Sequence, residues 1–177
     1  MLNHRLIALA LAMLLSSSVH AGANWKDKLR KELPLLGHRN WIVVADAAYP
    51  WQTAPGIETI YVEADPLEVV QGLIAELAGT RHVKPTIYTD AELKYLAEPS
   101  APGITAYRAG LGEILKNQPV QALPHEQIIA KLDEAGRTFK VLIIKTPSTK
   151  PYTSVFFQLE CAYWNAESEQ QLRKAMQ

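Results

Sequence analysis

The chain has 177 residues, 48% hydrophobic and 20% charged, which suits one compact domain with a proper core and excludes a disordered or fibrous chain. Its 18 basic residues balance 18 acidic ones, so no general electrostatic footprint favours nucleic acid or an anionic membrane surface.

A short basic head, Met1 to Arg5, precedes "LIALALAMLLSSS", and the small-residue pair Val19 and Ala21 then supplies a cleavage site. The apolar run is short for a bilayer span. Together these features predict a secretory signal over 1–21, cleaved after Ala21, with no stable membrane insertion of the remainder. Export across the inner membrane to the periplasm is the expectation. The domain to be explained is then 22–177. Cys161 is the only cysteine, so no internal disulfide framework exists, and its place in "VFFQLECAYW" predicts a buried, inert thiol.

In "NWKDKLRKELPLLG", Trp25, Leu29, Leu33 and Leu36 fall at helical spacings, and Pro34 bends or ends the helix. "WIVVAD" (41–46) is a continuous apolar run, the pattern of a strand covered on both faces. "ETIYVEA" (58–64) alternates as a second strand. Asp65-Pro66 then opens a helix on which Leu67, Val70, Leu73, Ile74 and Leu77 share a face. "KPTIYTD" (84–90) is a short strand ending in an aspartate, "DAELKYLAE" a short helical stretch, and "ITAYRAGLGEILKN" a helix weakened by Gly110 and Gly112. After Pro124, "HEQIIAKLDEAG" is a helix, and "FKVLIIKT" (139–146) and "SVFFQLEC" (154–161) are apolar strands. The order α-β-β-α-β-α-α-α-β-β predicts a single layered α/β/α domain with a mostly parallel sheet. The last two strands, joined by a short loop, suit an antiparallel edge pair as well.

Glycine-rich phosphate loops, H-E-x-x-H, C-x-x-C and the G-x-S-x-G elbow are all absent from the sequence, so no cofactor, metal or hydrolase triad is predicted. Three histidines lie beyond the signal: His38, His82 and His125. Each alone suits a surface or structural residue. His38, however, lies in the turn entering the first strand, and Asp46 lies at that strand's C-terminal end, where open α/β sheets gather ligands. Asp46 equally suits a loop or capping aspartate.

"LGHRNWIVVADAAYP" resembles the opening signature of the D-ribose pyranase and L-fucose mutarotase family, in which Leu-Gly-His precedes an apolar strand ending in Asp-Ala and then a proline. "YVEADPLEVVQGLI", "LPHEQIIAKLDEAGRTFKVLIIKT" and "KPYTSVFFQL" are similar to later segments of that family, in the same order. The resemblance implies that His38 is the catalytic acid/base and that Asp46, His125 and Tyr152 bind sugar. Ser154 stands at a substrate-binding position where the family usually has asparagine, so a shorter hydroxyl replaces an amide that both donates and accepts. The resemblance also implies a ring-shaped homo-oligomer, often a decamer, with sites at subunit interfaces.

The residue types suit the chemistry. Interconverting anomers or ring sizes needs a proton taken from the anomeric hydroxyl and one delivered to the ring oxygen, which a histidine does in either direction without metal or redox cofactor. Tyr49, Trp51 and Tyr152 can stack on a sugar face. The expected function is therefore an exported monosaccharide isomerase. The alternative is a non-catalytic exported monosaccharide-binding or interaction protein on the same scaffold.

Overall fold

Every residue of β1 (Trp41–Ala45) is buried, because layers of helices cover both of its faces. In a computed structural model the described residues are 25–177, so the expected signal over 1–21 lies outside them. β1 belongs to a six-stranded sheet with β2 (Ile57–Tyr61), β3 (Val83–Asp90), β4 (Val120–Leu123), β5 (Val141–Lys145) and β6 (Val155–Cys161), in the order β2-β5-β1-β6-β3-β4. β1 and β2 flank β5 in parallel and β3 pairs β4 in parallel. β6 is antiparallel to both β1 and β3. All strands but β6 therefore point the same way, and the mostly parallel α/β/α expectation matches the architecture.

Alternation along the strands divides the core. Ile42, Val44, Leu142, Ile144, Val155 and Phe157 face one side, where α1 (Trp25–Glu32), α2 (Pro66–Ala78) and α3 (Ile104–Leu115) pack. Trp41, Val43, Val141, Ile143 and Phe156 face the other, against α4 (His125–Ala135) through Ile128 and Leu132. Period-two alternation with both faces apolar is what a two-sided sheet demands. Pro34 ends α1 in a 3-10 turn (Leu33–Leu35), and Asp65 caps α2 by accepting from the Leu67 N–H at 2.8 Å.

The structure departs from the sequence reading at four points, two of them elements that the reading missed. Residues Ala91–Tyr95 form a 3-10 turn rather than an α-helix. The short β4 carries exposed or half-exposed side chains, and so lacks an apolar signature. A last helix, α5 (Ala166–Ala175), buries none of its residues, which leaves no core-facing stripe to detect. Finally, β5 and β6 are not neighbours, because β1 lies between them and β6 crosses to the middle of the sheet. No helix among the described residues is long and apolar enough to cross a membrane.

β2 meets β5 through a close approach at Gly56. A Cβ there would lie 2.2 Å from the Phe139 carbonyl oxygen and 2.5 Å from that of Gly136, both backbone atoms that cannot swing aside. Gly56→Ala is expected to cost about 1–3 kcal/mol, read as a lowered midpoint in thermal unfolding.

Candidate active site

Because five strands share a direction, one edge of the sheet collects the ends of β1, β3, β4 and β5 and the start of β6. Asp46 follows β1 and Asp90 ends β3; His125 opens α4, with only Pro124 between it and β4, and Tyr152 sits in the loop before β6. Asp46, His125 and Tyr152, with Tyr49, Pro50 and Ile129, line a cavity of about 380 Å³ at this edge.

Asp46 is held from behind. Its Oδ1 accepts from the Ala48 N–H at 2.8 Å, and its Oδ2 accepts from the Ser154 hydroxyl at 3.3 Å. The same hydroxyl oxygen accepts from the Asp46 N–H at 3.3 Å. Ser154 is only 3% exposed, so the structure places it under Asp46 rather than open to the cavity. It orients the carboxylate. Ser154→Ala is expected to lower stability by about 0.5–1.5 kcal/mol and, by freeing Asp46, to weaken any ligand that Asp46 holds, which calorimetric titration would read.

His125 is fixed at two points. Its backbone N–H donates to both Glu92 carboxylate oxygens at 3.1 Å, and its Nδ1 lies 3.1 Å from Asp90 Oδ1. The Tyr152 ring meets the imidazole edge-on, with centroids 5.5 Å apart and planes at 86°. Tyr152 adopts φ 55°, a left-handed conformation that costs a non-glycine residue about 1–2 kcal/mol, a cost typically tolerated at functional sites. The surrounding loop holds it there: the Thr153 hydroxyl donates to the Lys150 carbonyl at 2.7 Å, and the Tyr107 hydroxyl donates to the Thr153 carbonyl at 2.6 Å.

Asp90 is the residue that sequence reasoning passed over. Its side chain is fully buried, and its Oδ2 has no hydrogen-bond partner. Burial raises its carboxyl to about 6, against the opposing pull of His125. A carboxylate on Nδ1 fixes the imidazole orientation and directs Nε2 outward as the basic nitrogen. The signal was the aspartate ending a strand whose neighbour leads into a histidine, but only the pairing of β3 with β4 makes the two adjacent. Burial likewise pushes the Tyr49 phenol well up, so at neutral pH it stays a hydroxyl, and it donates to Gln52 at 3.3 Å.

His38 lies at the opposite edge. Its Nε2 is 3.0 Å from Glu160 Oε2, near the C-terminal end of β6. β1, five residues long and so roughly 16 Å, separates it from Asp46. Within one chain Asp46, His125, Tyr152 and Ser154 come together and His38 does not. His82 is structural: its Nε2 faces the Leu33 and Leu36 carbonyls at 3.1 and 3.0 Å and so must carry a proton to donate, which ties the turn after α1 to the start of β3. Cys161 is half-buried at the end of β6, more accessible than the sequence pattern suggested.

No protein-family model and no curated protein matches the chain. Solved structures do. RbsD from Bacillus subtilis, complexed with D-ribose, aligns with a TM-score of 0.53 at 21% identity over 75% of this chain and 91% of that one. The fucose mutarotase from Streptococcus pneumoniae, in complex with L-fucose, gives 0.52 at 16% identity over 80% and 97%. FucU from Bifidobacterium longum gives 0.51 at 14% identity over 76% and 94%. These alignments place this protein in the α/β fold of the RbsD and FucU proteins.

Proposed function

We propose that the protein is a monosaccharide isomerase that interconverts sugar anomers or ring forms by acid/base ring opening. One observation carries the reading: Asp46, His125 and Tyr152, drawn from three distant segments, meet on one cavity of about 380 Å³. The neighbours' bound D-ribose and L-fucose support a sugar as its occupant. Asp46 accepts from sugar hydroxyls, Tyr152 covers a ring face, and the His125–Asp90 pair relays a proton at Nε2. His38 is the second acid/base. Since it cannot reach the cavity of its own chain, it enters that of an adjoining copy in a homo-oligomer. The chemistry calls for neither metal nor redox cofactor. The first 21 residues direct the protein to the periplasm.

Saturation-transfer NMR on D-ribose and L-fucose tests this. The wild type should speed exchange between anomers or rings, and Asp46→Ala should not. The rival, a non-catalytic sugar-binding protein, has one observation in its favour: in the single chain His38 is paired with Glu160, far from the cavity. Binding with no added exchange between about pH 5 and 8, where histidine titrates, would decide for it.

A further inference from the structure

α5 buries nothing, yet it makes an ordered set of bonds around Trp164. Arg173 Nε donates to Glu169 Oε1 at 2.7 Å, and Glu169 Oε2 accepts from the Trp164 indole N–H at 2.8 Å. Asn165 caps the helix by accepting from the Ser168 N–H at 2.8 Å. The indole is therefore locked while 44% exposed, next to Tyr163 at 77%. Exposed aromatics normally pack or move freely; this one is braced by a helix that has no other visible use.

The two rings wall a groove of about 670 Å³ whose other sides include His38, Lys84 and Glu160. That volume is larger than the cavity at the opposite edge and falls in the range that admits a small organic ligand. A flat apolar wall beside donors and acceptors of nearly cancelling charge matches a sugar ring, which offers a C–H face to an aromatic and hydroxyls at its rim. A braced indole loses little freedom on binding, which favours affinity.

His38 lines this groove and also a cavity of about 350 Å³ with Arg39, Trp41 and Glu134, so a sugar on which His38 acts lies next to the groove or in it. We propose that Tyr163 and Trp164 form a subsite for a second sugar ring, so that the isomerase acts on the reducing monosaccharide unit of a disaccharide or longer saccharide in preference to the free monosaccharide. The inference rests on the isomerase reading above. The reducing ring lies between His38 of one copy and the Asp46 cavity of the next. The second ring continues over Trp164 of the first copy. Only the reducing ring reacts: its anomeric O–H gives up a proton, the bond from the anomeric carbon to the ring oxygen breaks, and the ring oxygen gains a proton. Closure reverses these steps.

The test compares anomer exchange on D-glucose, D-ribose and L-fucose with exchange on maltose, cellobiose and lactose, each of which has a reducing glucose. At least one disaccharide should show a KM at least tenfold below that of glucose, and Trp164→Ala should bring the two KM values together. Glu169→Gln, which loosens the brace without removing the ring, should erase part of it. Monosaccharide exchange with no disaccharide preference, or a preference that Trp164→Ala leaves intact, overturns the subsite alone. No exchange on any sugar overturns the isomerase reading; saturation-transfer difference binding then decides the groove, which stands if disaccharides bind and Trp164→Ala weakens them, and falls otherwise.

Discussion

Mixed oligomers of His38→Ala and Asp46→Ala chains are expected to recover about a quarter of wild-type anomer exchange, although each variant alone falls by roughly two to four powers of ten. For His38 the loss reflects the usual worth of a positioned acid/base, and for Asp46 the loss of the carboxylate that holds and orients the sugar. Recovery follows from geometry. In one chain His38 and Asp46 lie at opposite ends of β1, with the whole strand between them. A productive site must then take its cavity from one chain and its His38 from another. Random assembly of equal amounts joins an intact cavity to an intact His38 at about one contact in four. Co-expression of two differently tagged variants, purification of the mixed species and saturation transfer on D-ribose provide the measurement. Mixed oligomers as inactive as their parents would show that His38 and Asp46 do not meet across two copies, and a His38→Ala chain with wild-type exchange would leave the His125–Asp90 pair to account for the chemistry.

The fold was legible where its physics is local. "WIVVA" is apolar at every position because helices cover both faces, and Asp65-Pro66 opens α2 because a capping carboxylate followed by a residue without an N–H suits a first turn. It was illegible where the signal depends on pairing. β6 reads as an apolar strand, but nothing in "VFFQLEC" says that it runs against its neighbours between β1 and β3. β4 has no pattern of its own and exists as an edge partner to β3.

The site followed the same division. Asp46, His125 and Tyr152 were visible as residue types in a recognisable order, and the sheet brings them to one cavity. Asp90 was not, since its role requires a histidine 35 positions away, brought alongside by the β3–β4 ladder. Ser154 was read as a ligand contact, but its depth and its two bonds with Asp46 make it a support, which no linear pattern distinguishes. His38 and Asp46, eight positions apart, were read at the two ends of one strand and assigned to one site. In an extended strand that spacing means distance rather than contact.

Asp90→Asn should trade pH dependence against catalysis. Asp90 is buried among His125, Glu92 and Asp46, of which only His125 favours its charge. Its carboxyl titrates near 6 in the fold and is expected at the ordinary 3.8 once unfolded. Between those values the folded protein keeps a proton that the unfolded chain has released, so stability falls as pH rises through the window. The stabilising contribution is complete below the lower value and gone above the upper one, a loss on the order of 3 kcal/mol. Asparagine removes that slope but adds an amide N–H₂ where Oδ2 already lacks a partner, a cost of about 1–3 kcal/mol at every pH. Urea unfolding should find the variant less stable than wild type near pH 4 and close to it near pH 7. Parallel stability profiles would show that Asp90 does not titrate in this range. The same substitution leaves Nδ1 of His125 a neutral acceptor in place of a carboxylate, so the imidazolium formed during proton transfer loses its counter-charge. Anomer exchange should drop roughly 10²- to 10⁴-fold at neutral pH while sugar binding through Asp46 persists. A residue that only supported the fold would not uncouple the two.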